Sequence, residues 1–238
     1  MIPARHGSRR LPGKPLLSAT GRPLILHVVE RARSARTVDR VVVATDDERI
    51  ADAVRDGGGE AMLSTAAHDC GTSRVAEVAE SFPDETYFVN LQGDEPEIDP
   101  ADIDLLVDVL ESSGAPVATL AAPIAHAADL ADPAIVKVVT NGDGDALYFS
   151  RAPIPFDRDG EGAFLPLHHL GIYAFRRDAL LRFRELGASP LERTEKLEQL
   201  RALEDGMRIR VATVKAAPPG IDTMDAYEAF VARWKSKA

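Results

Sequence analysis

The sequence is poor in the features that a secreted, membrane-anchored or nucleic-acid-coating protein would need. It carries a single cysteine, Cys70, so no internal disulfide can form, which fits a reducing compartment. Its longest apolar runs, such as Val41–Ala44, fall far short of the ~20 residues that cross a bilayer. No charged-then-apolar leader precedes the first motif. The expectation is therefore a cytoplasmic protein with no membrane insertion. Positive charge is in deficit, with a formal net charge of −10, which argues against general nucleic-acid binding because that needs a surplus of cations to displace counterions. Repeats, low-complexity tracts and an obvious linker are missing as well, so one domain spanning residues 1–238 is expected.

What is present is a 45% hydrophobic composition, enough for a substantial core. Leu24, Ile25, Val28, Val29 and Ala32 follow a helical period. Short apolar strands are expected at 40–45, 60–64 and 87–91, alternating with helices at 46–55 and 73–81, the pattern of βαβ units and a mainly parallel sheet. From about residue 115 the rhythm changes. Strands are expected at 116–121, 135–140 and 145–150, the last two joined by the turn Asn141-Gly142-Asp143-Gly144. A polar loop over 155–166 precedes a strand at 170–175, helices at 178–185 and 190–204, a strand at 208–215 and a closing helix. Only Met1 and Ile2 stand before Pro3, where an open sheet usually has a central strand, so the first strand reads as truncated.

Against the acidic background Arg5, Arg9, Arg10 and Lys14 crowd into one stretch, Ile2-Pro-Ala-Arg-His-Gly-Ser-Arg-Arg-Leu-Pro-Gly-Lys-Pro15. Gly7 and Gly13 would let backbone N–H groups approach a phosphate, and the cations would neutralise it. Pro15 after Lys14 rules out a Walker A loop, and a solvated basic loop is the plain alternative. Asp94, in Asn90-Leu-Gln-Gly-Asp-Glu-Pro96, ends a strand, where ligands gather in parallel sheets and where a carboxylate suits Mg²⁺. Asp222 stands at a similar junction. Helix capping is the alternative for both. Asp46-Asp47 could suggest a phosphatase, but a helix cap accounts for them. His168 and His169 alternate faces on a strand, so they form no metal pair, and one of them reads as a buried, hydrogen-bonded histidine. Cys70 has neither a helix-terminal nor a triad setting and is not read as a nucleophile.

Together these motifs resemble the CMP-Kdo synthetases (3-deoxy-manno-octulosonate cytidylyltransferases). The resemblance also takes in Ala44-Thr-Asp46, Gly71-Thr72 with Arg74, Val136-Lys-Val138, Ala146-Leu-Tyr-Phe-Ser-Arg151, His169-Leu-Gly-Ile-Tyr173, Ser189-Pro-Leu-Glu192 and Asp222-Thr223. It implies a glycosyltransferase-A-like (Rossmann-like) α/β fold: a mixed, mainly parallel sheet, helices on both faces and a small mixed-sheet insertion, in a homodimer. It implies that CTP and Kdo give CMP-Kdo and pyrophosphate, for lipopolysaccharide biosynthesis. Arg10 and Lys14 would hold the triphosphate, and Ala4, Arg5, Gly71, Arg74 and Gln92 would line the nucleotide. Asp94 and Asp222 would hold Mg²⁺, and Arg151, His169, Tyr173 and Glu192 would face the sugar acid. His168 stands where many relatives carry Arg or Lys, and Cys70 where a Ser is more usual. Rival readings are a cytidylyltransferase for 8-amino-Kdo or a sialic acid, and a nucleotide-binding protein without turnover.

Overall fold

The apolar run at residues 42–45 forms the middle of a three-stranded parallel sheet, and all its residues are buried, as expected where a parallel strand is covered on both faces. The structure is a computed structural model that describes residues 1–7, 10–65, 67–124, 126–160 and 166–237. Where the sequence leads one to expect a single domain, the chain divides into two compact units. The first holds Met1–Asp84, Asn90–Asp104 and Pro218–Ala238, and the second Glu85–Val89 and Leu105–Ala217.

In the first unit β1 (Ile2–Ala4), β2 (Val42–Thr45) and β3 (Glu60–Leu63) lie in that order, all parallel. β1 is short but fully buried, and the Leu91 N–H donates to the Met1 carbonyl at 3.1 Å. Helix α1 (Leu24–Arg33) buries Leu24, Ile25, Val28, Val29 and Ala32, the face its period marks out. Helix α2 (Glu48–Asp56) is capped by Asp47, whose carboxylate accepts from the Arg49 N–H. Helix α3 (Gly71–Ala79) buries seven of its nine residues. A closing helix, Met224–Lys237, brings Tyr227 and Phe230 into one cluster with Leu11, Leu24 and Ile221.

That cluster contains a titratable group. The His27 ring packs edge-on to Phe230 and Trp234. Its Nδ1 lies 3.1 Å from an Arg22 guanidinium nitrogen, which can only donate, so Nδ1 accepts and Nε2–H donates to Thr20 Oγ1 at 2.8 Å. Burial first, then the Arg22 charge, hold the His27 pKa down to about 4 from an ordinary 6.5, with Glu30 opposing. The unfolded chain therefore takes up a proton that the folded one refuses. The stabilisation from the neutral imidazole is complete above pH 6.5 and is lost as pH falls towards 4. At ~1.4 kcal/mol per pKa unit, the gap amounts to about 3 kcal/mol. Urea unfolding across this window should show a shallower pH slope for His27→Gln than for the native chain. Coincident slopes would refute the assignment.

The second unit is built on a six-stranded sheet. Its strands are β4 (Tyr87–Asn90), β5 (Val117–Pro123), β6 (Lys137–Thr140), β7 (Ala146–Ser150), β8 (Leu167–Arg176) and β9 (Ile209–Thr213). The order is β7-β6-β8-β5-β9, with β4 also paired to β8. β5 and β9 are parallel, whereas β5–β8, β6–β7 and β6–β8 are antiparallel. The mainly parallel arrangement expected from the βαβ rhythm thus holds for the first sheet, while hairpin connections make the second one mixed. The expected β6–β7 turn is present, closed by the Gly144 N–H to the Asn141 carbonyl.

Two further differences have local causes. Helix α4 (Pro100–Ser113) was not expected, yet Pro100 opens it and the Asp99 carboxylate accepts from the Ala101 N–H. After α5 (Arg177–Glu185) the single helix expected over 190–204 is broken into α6 (Pro190–Glu195) and α7 (Gln199–Glu204). Lys196 takes a left-handed conformation, φ 55°, at the C-terminus of α6, which stops a helix as a glycine usually does. Residues 161–165 of the expected loop over 155–166 lie outside the described residues. Among the described residues no helix is long and apolar enough to cross a membrane.

Candidate active site

The basic stretch follows β1 directly. Its loop is closed by the Gly13 N–H donating to the His6 carbonyl at 3.1 Å. Gly13 has φ 69°, a left-handed conformation that favours glycine. Gly7 is different: a side chain there would meet open space, so no close approach demands glycine. Lys14–Leu16 forms one 3-10 turn, with Pro15 buried. Lys14 therefore leaves a stiff base, and its side chain is only 12% exposed. Arg9, which the sequence groups with these cations, lies outside the described residues.

Lys14 Nζ reaches three oxygens from distant parts of the chain. It lies 2.5 Å from Asp94 Oδ2, 2.9 Å from the Ile221 carbonyl and 3.3 Å from Asp222 Oδ1. Arg10 joins from the solvent side, 3.0 Å from Asp222 Oδ2. The capping alternatives do not describe these carboxylates. α4 is served by Asp99, and in the closing helix Thr223 Oγ1 accepts from the Ala226 N–H. The Ile221 N–H bonds to the Asp94 carbonyl at 3.0 Å, tying the two acidic segments together.

Glu95 adds a third carboxyl. Its Oε2 is buried without a hydrogen-bond partner. Burial first, then the charges of Asp94 and Asp222, push its pKa up to about 8, with Lys14 opposing. Gly220 leaves it room, since a Cβ there would stand 3.1 Å from Glu95 Oε1.

The donor set suits a hard divalent cation. Two carboxylates and a carbonyl already converge on one ammonium. Among the described residues no three or more His, Cys, Asp or Glu side chains are grouped to hold a metal. Magnesium does not ask for that, since it takes one or two carboxylates and completes its shell with water and substrate phosphate.

The residues assigned to the nucleotide lie in the same unit. Gly71 opens α3 so close to β1 that a Cβ would stand 3.3 Å from Pro3 Cγ and 3.7 Å from Gln92 Oε1. Ala4 is buried at the end of β1 and Arg5 is exposed. Arg74 is buried, and its guanidinium donates to Asp46 Oδ2 at 2.6 Å and to Ser64 Oγ at 2.5 Å.

The four side chains assigned to the sugar belong to the second unit, and their contacts there are internal. His169 is buried, 3.0 Å from Thr119 Oγ1, with its ring 5.5 Å from that of Tyr173. The Arg151 guanidinium donates to the carbonyls of Pro133, Glu195 and Lys196. Glu192 forms a capping box with Ser189 and pairs with the buried Arg201 at 2.6 Å.

Comparison with known proteins shows the family. The family model described as "Cytidylyltransferase" matches residues 1–209. A 3-deoxy-manno-octulosonate cytidylyltransferase of Anaeromyxobacter sp. (strain K) is 54% identical over 96% of this chain and 93% of its own length. One from Escherichia coli is 49% identical over 94% of this chain and 90% of its own. The solved structure of a CMP:2-keto-3-deoxy-manno-octonic acid synthetase complexed with CTP superposes with a TM-score of 0.94 at 46% identity, covering 100% of this chain and 98% of that one. The chain belongs to the 3-deoxy-manno-octulosonate cytidylyltransferase family. It is thus a nucleotidyltransferase with a mixed α/β fold.

Within this cytidylyltransferase, some participants escaped the sequence reading. Glu95 lies inside the Gln-Gly-Asp-Glu-Pro motif, yet only folding shows its burial beside two like charges. Asp46 was set aside with Asp47 as a capping pair. Asp47 does cap α2, whereas Asp46 holds Arg74. Cys70 is a correction of context, because it occupies the N-cap of α3. Its Sγ lies 3.1 Å from Ser73 Oγ, and that hydroxyl donates to Asp69.

Proposed function

We propose that this cytidylyltransferase condenses CTP with Kdo, releasing pyrophosphate, and that Asp94 and Asp222 hold the Mg²⁺ that assists. The observation that carries this is the convergence of Lys14, Arg10, Asp94 and Asp222. When bound there, the metal would lower the acceptor hydroxyl's pKa and offset phosphate charge. The acceptor hydroxyl attacks the α-phosphorus and the bond to the pyrophosphate oxygen breaks. Lys14 and Arg10 stabilise the negative charge that collects on the leaving group, and such stabilisation is most of what phosphoryl-type transfer asks of a protein. Gln92, Gly71 and Arg74, with Ala4 and Arg5, line the nucleotide, and Asp46 keeps the Arg74 guanidinium oriented.

For the acceptor, the family resemblance assigns Arg151, His169, Tyr173 and Glu192. Arg151 can exchange neutral carbonyls for the sugar's carboxylate, gaining an opposite charge and the two parallel bonds that a guanidinium makes to a carboxylate. His169 and Tyr173 are both buried, with their rings 5.5 Å apart, so both would act by positioning the residues around the sugar. The wider reading is a glycosyltransferase-A-like fold in a cytoplasmic homodimer that supplies CMP-Kdo for lipopolysaccharide.

Pyrophosphate release with each of the four nucleoside triphosphates, with and without Kdo, tests the reaction. CTP and Kdo should both be required. Equal release from another triphosphate, or release without Kdo, would overturn it.

A further inference from the structure

We propose that Lys14 is a built-in counter-ion that keeps Asp94 and Asp222 from taking up a divalent cation until a nucleoside triphosphate arrives, so that metal and nucleotide enter together. The inference rests on the magnesium reading of this site. It begins from where the ammonium lies. The nearest oxygens around Nζ are Asp94 Oδ2, Asp222 Oδ1 and the Ile221 carbonyl, the same carboxylates a metal would use. The side chain is 12% exposed, so water screens its charge little and a cation approaching either carboxylate meets an ammonium already in place. Pro15 and the closed loop behind Gly13 stiffen its base, which limits how far the ammonium can retreat into water.

A triphosphate changes the balance by offering Nζ other anionic oxygens. The carboxylates are then released to the metal, and the metal in turn bridges to the phosphates. By linkage, the factor by which nucleotide tightens metal binding equals the factor by which metal tightens nucleotide binding. Arg10 serves as an internal comparison. Among the described residues it pairs with Asp222, and it is 69% exposed, where water and salt screen it.

Calorimetric titration of the nucleotide-free protein with Mn²⁺ or Mg²⁺ alone tests this without turnover. Lys14→Met should bind metal about 10- to 1000-fold more tightly than the native chain, the range over which one opposite charge within 4–6 Å alters a carboxylate's affinity for a cation such as the proton. Arg10→Met should change it by less than about threefold, as befits an exposed pair. Lys14→Gln should behave as Lys14→Met and serves if the methionine variant folds poorly. Unchanged metal affinity in both Lys14 variants would refute the counter-ion role. If Asp94→Asn then still abolished metal-dependent CTP binding, the metal site itself would stand. If metal bound tightly to Lys14→Met and adding Asp94→Asn did not weaken it, the site reading would fail as well.

Discussion

Replacing Asp94 with Asn will lower turnover by about three decades or more, the loss expected when some 4 kcal/mol of charge stabilisation leaves the transition state. Asp222→Asn will do the same, and the double variant will be little worse than either alone. Residues that act as a unit lose their joint contribution once any member is gone. The fold should survive, because asparagine keeps the size of each side chain and the helix ends nearby are capped by Asp99 and Thr223 instead. Turnover measured at saturating CTP and Kdo, beside a thermal melt, separates the two effects. Near-normal turnover of Asp94→Asn at ordinary magnesium would sink the assignment. So would a double variant slower than the native chain by the product of the two single effects, since that would mean independent roles.

Much of the local structure could be read before folding, and the reasons are physical. The apolar period of α1 and the Asn-Gly-Asp-Gly turn each encode their geometry within a few residues. The candidate site could be suspected from motifs, but its construction could not. Lys14 meets Asp94 across 80 residues and Asp222 across 208, and no local rule relates positions so far apart. For the same reason Asp46 was taken as part of a cap, when its partner Arg74 lies 28 residues on. The break at Lys196 left no signal of the usual kind, neither glycine nor proline, and the left-handed residue there is a lysine. Glu192 shows the limit of reading roles from a motif. Its carboxylate is spent on Arg201 and on the Ser189 N–H, so its nearest work is to begin α6 and hold α7.

A lysine stands between Val136 and Val138, and its place in the fold gives a prediction of large effect. Lys137 is 0% exposed. A bare ammonium there would be prohibitively costly, but its donors are all taken: the carbonyls of Asp132, Ile135 and Arg151 lie 2.9, 2.7 and 2.5 Å from Nζ. Burial lowers its pKa, and Asp132 opposes that shift. The side chain thus fastens the start of β6 to the preceding segment and to the main chain of Arg151. Lys137→Met keeps the approximate volume and removes the charge, yet it leaves three carbonyls without their donor. The expected loss is about 3–5 kcal/mol, since hydrogen bonds to a charged group contribute about 1.5–3 kcal/mol each and water replaces part of the three that go. Set against the ~5–15 kcal/mol by which domains are stable, this takes a large share. It should lower the melting temperature by roughly 10 °C, at 2–4 °C per kcal/mol for a chain of this size. Lys137→Ala should fall further, because it adds a cavity. Differential scanning calorimetry of the three proteins decides the matter. A methionine variant melting within about 2 °C of the native chain, under 1 kcal/mol by the same scaling, would show that water reaches those carbonyls and that Lys137 is no fastening at all.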